Sequence, residues 1–168
     1  MSMFSDTVVP IAKTSMMFAE AVTKDIPADQ FGRKPDGVNT NCPAWVIGHL
    51  GAYPGWVVSM LTGTAPPEDP ETQAMFGHSS ECKDDQAGTI YPSKDELLKK
   101  FNAGMQAVID ALPKASEAAL SAPNPNEQMR DRFPTVGSLA AFMVGSHNMM
   151  HLGQISAWRR CMGLGPCM

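Results

Sequence analysis

The sequence predicts an all-α protein, and more specifically an up-and-down four-helix bundle. Apolar residues recur at steps of three and four in four separate stretches, as on the buried face of a helix. No stretch alternates apolar and polar residues as a half-buried strand would. Segments rich in proline and glycine separate the four stretches, and residues 1–168 have the length of a single domain.

The first two helices are expected in the N-terminal third of the chain. Residues 5–25 carry an apolar stripe that includes Val8 and Val22 at helical spacing. A second helix is expected from Asn41 to Leu61, with its first turn marked by a proline. Pro54 lies in the middle of this stretch and cannot donate a backbone hydrogen bond, so we expect a kink there.

The other two helices are expected in the C-terminal half. Ser93 and Glu96 have the spacing of a capping box, which predicts a helix that starts there and ends before Pro113. After a loop at residues 122–134, a fourth helix is expected from about Thr135 to Cys161. One face of it should bury the residues Val136, Ala140, Met143, His147, Met150, His151, Gln154 and Trp158.

A long polar segment at about residues 62–92 connects the second and third helices. It is rich in proline and glycine and longer than a connection between neighbouring helices requires. We expect it to lie over one end of the bundle as a lid, so that shortening it would change ligand access more than stability.

Composition excludes some classes of function. The net charge is -4 and the basic residues are scattered, which argues against nucleic-acid binding. The four cysteines form no CxxC pair and no regular disulfide spacing, and the N-terminus lacks a basic region followed by an apolar run. We therefore expect a cytoplasmic protein with reduced thiols.

The second and fourth helices are unusual in carrying no charge. No Asp, Glu, Lys or Arg occurs between Gly37 and Pro67, or between Phe133 and Trp158. Such helices are buried on most of their circumference or lie in a membrane. Interruptions by Gly, Asn148 and Gln154 argue against the membrane. We expect an additional apolar face, used for a homodimer.

Three of the four histidines lie in these two uncharged helices. His147 and His151 are four residues apart, so their imidazoles stand one above the other on the same side of a helix. With His49 from a facing helix they would form a three-nitrogen site for a divalent metal, with a position left open for water or substrate. The alternative is three separate core histidines, each with its own hydrogen bond.

Other residues have weaker signals. His78 in the long segment would be a further ligand or a proton shuttle, but a solvated loop histidine is the simpler interpretation. Cys42 at the start of the second helix would gain thiolate character there, but an inert, partly buried thiol is preferred. Arg159 and Arg160 are interpreted as charges that complement the helix dipole.

Two motifs resemble a known family. The run Asn41-Cys42-Pro43-Ala44-Trp45-Val46-Ile47-Gly48-His49-Leu50 is similar to the N-x-x-x-W-x-x-G-H-L stretch of DinB-like (YfiT-like) proteins. The run His147-x-x-x-His151-Leu-Gly-Gln is similar to the H-x-x-x-H-x-G-Q close of the same superfamily. The resemblance implies a four-helix bundle, often dimeric, with zinc or nickel held by the matching histidines, His49, His147 and His151.

The family resemblance leaves the reaction open. It implies a metal-dependent enzyme acting on a small molecule, most simply a transferase for a low-molecular-weight thiol or a hydrolase, since both need only the open metal position. The alternative is a non-catalytic, stress-responsive binding module in which the metal is structural. A site reachable by solvent would favour the enzyme, and a filled coordination sphere the module. Fold transfers between relatives better than reaction does.

Overall fold

Helices form nearly all of the regular structure of this protein. The computed structural model describes residues 2–167, and within that range the chain is helical with no β-strand. Its α-helices are α1 (Met3–Thr23), α2 (Pro43–Gly51), α3 (Pro54–Thr62), α4 (Pro70–Phe76), α5 (Lys94–Ala111), α6 (Glu117–Ser121), α7 (Val136–Phe142) and α8 (Asn148–Cys161). A π-helical turn at Met143–His147 joins α7 to α8, and 3₁₀ turns occur at Ala28–Gln30, Leu112–Lys114 and Glu127–Met129.

The all-α prediction is confirmed, but the count of four helices is not. All four predicted stretches are helical, with α1 and α5 each a single helix. The second and fourth stretches are each divided in two, and the short helices α4 and α6 were not predicted. Helix α5 packs against α2 and α3, while α8 packs against α1 and α2.

The predicted kink at Pro54 is a complete break. Helix α2 ends at Gly51, the N–H of Ala52 bonds the carbonyl of His49 at 3.1 Å, and Pro54 opens α3 at a position that needs no N–H donor. The break is packed closely against α5. A Cβ added to Gly104 would lie 2.8 Å from Pro54 Cβ, so a larger residue would push α5 from α3.

The fourth stretch contains the π turn that the sequence did not predict. Met150, expected inside, is 57% exposed, whereas His151 and Trp158 on the same predicted face are buried. The widened turn is stabilised from outside. The hydroxyl of the buried Ser15 in α1 donates to the Val144 carbonyl at 2.7 Å, and the Asn148 amide also donates to it at 3.3 Å.

The segment at residues 62–92 is more ordered than a plain loop. It contains α4, whose Phe76 is buried against α2. A Cβ at Gly48 would lie 2.2 Å from the Phe76 ring, so the glycine makes room for it. Farther along, the buried Asp85 carboxylate accepts from the backbone N–H groups of residues 89, 90 and 91 at 2.9–3.2 Å. The lid function stays a prediction.

Arg159 lies in the last turn of α8, as the dipole interpretation assumed, but it has partners that the sequence did not predict. Its side chain is 1% exposed and forms a two-pronged ion pair with Asp25, just beyond the end of α1. It also donates to the carbonyls of Val22 and Gly165 at 3.1 and 3.3 Å. Arg159 therefore connects α1, α8 and the C-terminal tail. Arg160 is exposed and bonds Ser156 one turn earlier.

Helices α2 and α8 are short, and neither carries a charged residue before Arg159 in the last turn of α8. Among residues 2–167, no helix combines the length and the apolar character that crossing a membrane would need. Burial explains their composition instead, since residues 42–50 of the first uncharged stretch are all buried in the core.

Candidate metal centre

The three predicted histidines lie together. His49 comes from α2, His147 ends the π turn, and His151 is in the first turn of α8. One ring nitrogen from each lies within 4.8 Å of the others, and Nε2 of His49 is 3.3 Å from Nε2 of His147. The ring centroids of His147 and His151 are 4.8 Å apart, as the four-residue spacing predicts.

The orientation of His49 is fixed by Phe76, the last residue of α4. Its Nδ1 lies 2.7 Å from the carbonyl oxygen of Phe76. A carbonyl only accepts, so Nδ1 carries the hydrogen and Nε2 presents its lone pair to the other histidines. On the other side, the Trp45 ring stacks on the His49 ring with centroids 4.8 Å apart and planes 16° from parallel. The imidazole is therefore held both in its plane and in its tautomer.

His151 has a similar support. Its Nδ1 lies 3.4 Å from Oε1 of Gln154, which also accepts from the Asn41 side-chain amide at 3.0 Å. Because Oε1 is the acceptor in both contacts, Nδ1 of His151 carries the hydrogen and Nε2 is free to bind. Gln154 thus joins His151 to Asn41, two residues before the start of α2.

His147 is the histidine without such a partner. Its Nδ1 is buried and has no hydrogen-bond partner among the described residues. The rings of Tyr53 and Phe142 lie against it, with centroids at 5.6 and 5.8 Å, and both offer it aromatic surface. A buried, unsatisfied nitrogen is costly to keep in a protein interior. This favours a functional role over a purely structural one.

All three imidazoles are held in the neutral form. Burial is the main cause that lowers the pKa of His49 from 6.5 to about 4, and the neighbouring His151 adds to it. Burial likewise lowers the pKa of His147 to about 3, with contributions from His151 and His49. The pKa of His151 is also lowered by burial, against an opposing hydrogen bond to Gln154. Neutral imidazoles have the lone pairs that a metal ion requires.

The set fits a divalent metal ion. Two nitrogens bound tetrahedrally to one zinc ion are about 3.4 Å apart, since each Zn–N bond is about 2.1 Å. The 3.3 Å between the Nε2 atoms of His49 and His147 agrees with that edge. Among residues 2–167, no cysteine or acidic residue joins the three histidines as a fourth ligand. Three neutral nitrogen ligands are a donor set found in catalytic zinc sites, where the fourth coordination position of the metal takes water or substrate.

Access to the cluster is from the side of His147. His49 and His151 are 5% and 9% exposed, whereas His147 is only half-buried. The cavity beside it, lined in part by Tyr53 and Asn148, holds about 10 Å³, which is about one water molecule. A substrate must therefore approach from outside, past the aromatic rings of Tyr53 and Phe142.

The structure also places the weaker candidates. His78 is exposed and lies outside the cluster, as the simpler interpretation predicted. Cys42 is completely buried, and its hydrogen bond to Cys82 raises the pKa of its thiol, as does burial, so it is not a thiolate. The sequence did not assign roles to Phe76, Tyr53 or Gln154. Of these, only Gln154 could have been found from the sequence, because it lies three residues after His151 and the two side chains therefore share a helical face.

Fold and site together define a class: a helical protein with a buried cluster of three histidines drawn from separate helical segments. The sequence profile of the DinB superfamily matches residues 13–155, and the chain belongs to that superfamily. The matched region contains all three histidines. No curated protein matches the chain.

Proposed function

We propose that this protein is a metal-dependent enzyme that transfers a low-molecular-weight thiol to a small electrophilic molecule. The observation that carries the proposal is the cluster itself, in which three neutral imidazoles come together without a Cys, Asp or Glu as a fourth ligand among the described residues. When bound there, a divalent ion, zinc or nickel, would supply positive charge that lowers the pKa of a thiol. His49, His147 and His151 are the residues proposed to hold it.

The charge distribution favours an anionic partner. No Asp, Glu, Lys or Arg occurs from residue 38 to 66 or from 134 to 157, and these stretches contain all three histidines of the cluster. Burial raises the pKa of the Tyr53 phenol, so this neighbour of the cluster is also neutral. A thiolate approaching a cation held by neutral nitrogens meets attraction and little repulsion. A cationic substrate would meet the opposite.

The chain's own residues have positioning roles in this proposal. The Phe76 carbonyl and the Gln154 side chain fix the tautomers of His49 and His151. Tyr53 and Phe142 line the approach at His147 and limit the water around it. In the transfer itself, the thiol sulfur forms a bond to the electrophilic carbon and the leaving group departs with its electron pair. The proton of the thiol goes to solvent.

Two alternatives use the same site. Hydrolysis would need only that a water molecule replace the thiol at the free position. A non-catalytic module with a structural metal is favoured by one observation, the water-sized cavity of about 10 Å³ beside His147, which leaves no interior room for a substrate. Both alternatives predict a different response to added thiol.

Cobalt substitution tests the proposal optically. Adding a small thiol to the cobalt-loaded protein should produce a sulfur-to-cobalt charge-transfer band, which the His151→Ala variant should lack. If the band is absent while water still exchanges at cobalt, hydrolysis is favoured. If neither thiol nor water exchanges at the metal, the structural-metal alternative is correct. Incubation with a thiol and a panel of electrophiles, followed by mass spectrometry, then identifies any conjugate formed.

A further inference from the structure

A second cluster of reactive side chains lies at the other end of α2. Sγ of Cys42, the residue that precedes α2, is 3.4 Å from Sγ of Cys82. The backbone N–H of Cys42 donates to Sγ of Cys82 at 3.2 Å. Both thiols are free, although they are 40 residues apart in the chain. No spacing motif in the sequence indicates this pair.

We propose that Cys42 and Cys82 are a redox-active pair that a hydroperoxide converts to a disulfide, fastening the segment after α4 to the start of α2. The sulfurs would have to move about 1.4 Å closer to reach a disulfide bond length. Cys82 lies between α4 and α5, in a stretch without regular secondary structure, so the movement disrupts no helix. The site is separate from the histidine cluster, and the proposal does not depend on a bound metal.

The two cysteines differ in a way that assigns their roles. Cys42 is completely buried, whereas Cys82 is partly exposed and reachable by a small oxidant. The hydrogen bond to the Cys42 thiol is the main cause that lowers the pKa of Cys82 to about 7. A partly exposed thiol with a lowered pKa is the one that reacts first with a peroxide, because its thiolate is the nucleophile. Cys42 is then the resolving residue.

The chemistry balances with one hydroperoxide and two thiols. The Cys82 thiolate sulfur attacks one peroxide oxygen, the O–O bond breaks, and Cys82 becomes a sulfenic acid as hydroxide or alkoxide leaves. The Cys42 sulfur then attacks the Cys82 sulfur, the S–O bond breaks, and water leaves with the Cys42 proton. Two thiols are oxidised and the peroxide is reduced. A dithiol reverses the change by exchange.

The disulfide would act on a segment that directly follows a contact with the histidine cluster. Along α2, the end of α4 and the segment after it make successive contacts: the Phe76 carbonyl with His49, the Ser80 hydroxyl with the Trp45 ring N–H at 3.2 Å, and Cys82 with Cys42. The first two are hydrogen bonds that break easily. A covalent link at the third position would hold the whole segment against α2 and reduce its local opening.

The test uses the full chain with Cys161→Ser and Cys167→Ser, so that only the proposed pair remains. After treatment with stoichiometric hydrogen peroxide, a non-reducing digest should contain a Cys42–Cys82 cross-linked peptide, lighter by two hydrogens and lost on dithiothreitol treatment. In the same background, Cys42→Ser should accumulate a sulfenic acid at Cys82 that dimedone traps. Cys82→Ser should leave Cys42 unmodified. Circular dichroism checks that each variant is folded.

Hydrogen exchange measures the consequence. Amides of residues 77–92 should exchange more slowly in the oxidised protein than in the reduced protein, and the Cys82→Ser variant should show no such difference. If peroxide forms the link only after unfolding in urea, or if Cys42 is modified before Cys82, the proposal is wrong. If the hydrogen-exchange rates of residues 77–92 are unchanged in a fully cross-linked protein, the disulfide does not hold the segment against α2.

Discussion

Nε2 of His49 and Nε2 of His147 lie 3.3 Å apart, although the two residues are 98 positions apart in the chain. The contact exists because α2 packs directly on α8 and the π turn places His147 at the junction. His147 and His151 are neighbours by helix geometry alone. His49 turns that pair into a cluster of three.

The first prediction concerns Gln154, which fixes the tautomer of His151. The Gln154→Ala variant should bind zinc about 10 to 100 times more weakly, because an imidazole without its hydrogen-bond partner is less well oriented and less basic. Competition with a chromophoric chelator measures the affinity. Gln106→Ala, an exposed change on α5, is the control. Equal affinity in Gln154→Ala and the wild type would show that Gln154 does not support the site.

A second prediction concerns the π turn. Ser15→Ala should lower the free energy of unfolding by about 1–3 kcal/mol, since the buried Val144 carbonyl loses its closer donor. Urea denaturation measures this. Thr14→Ala on the exposed side of α1 removes a hydroxyl that bonds only within its own helix, so its effect should be smaller. If the two variants are equally stable, Ser15 does not stabilise the turn.

Stability of the metal-free protein should depend on pH. The pKa values of His49 and His147 fall from 6.5 to about 4 and about 3 on folding, so the unfolded chain binds protons more readily. Stability present above pH 6.5 should therefore be lost as the pH falls towards 4 and 3. Urea midpoints at about pH 7.5 and about pH 5 measure the loss. His147→Gln should reduce this pH dependence of stability. An unchanged pH dependence would contradict its attribution to the lowered pKa of His147.

The homodimer stays a prediction. Ile11, Met149 and Met150 are exposed although apolar, and Ile11 and Met149 line one shallow groove between α1, α7 and the start of α8. We expect sedimentation equilibrium to give twice the chain mass, and Ile11→Glu to shift the protein towards monomer by placing a charge in the contact. A wild-type protein that is monomeric at high concentration would rule the dimer out.

The sequence predicts a helix correctly where strong local signals mark its start and its buried face. The capping box at Ser93 and Glu96 and the apolar stripe of α5 agree with each other, and that helix forms as expected. The histidine cluster was also predictable, because an i, i+4 pair needs only helix geometry. An uncharged facing helix indicated where the third imidazole would come from.

Features that depend on tertiary contacts were not predictable. The π turn requires donors from Ser15 and Asn148 to the same carbonyl, and neither residue marks the turn in the sequence. The environment of Arg159 depends on Asp25, which lies 134 residues away. The Cys42–Cys82 pair and the Phe76 carbonyl at His49 likewise arise only when α4 and the segment after it lie along α2. Local propensity contains no information about such partners.

Metal content tests the central claim most directly. Protein made without a histidine tag, reconstituted with zinc or nickel and freed of excess ion, should contain close to one metal ion per chain by elemental analysis. His147→Ala and His151→Ala should contain almost none, and His78→Ala should bind as the wild type does, with circular dichroism confirming that all are folded. A wild-type protein without metal, or cluster variants that retain it, would contradict the assignment of His49, His147 and His151 as a metal centre.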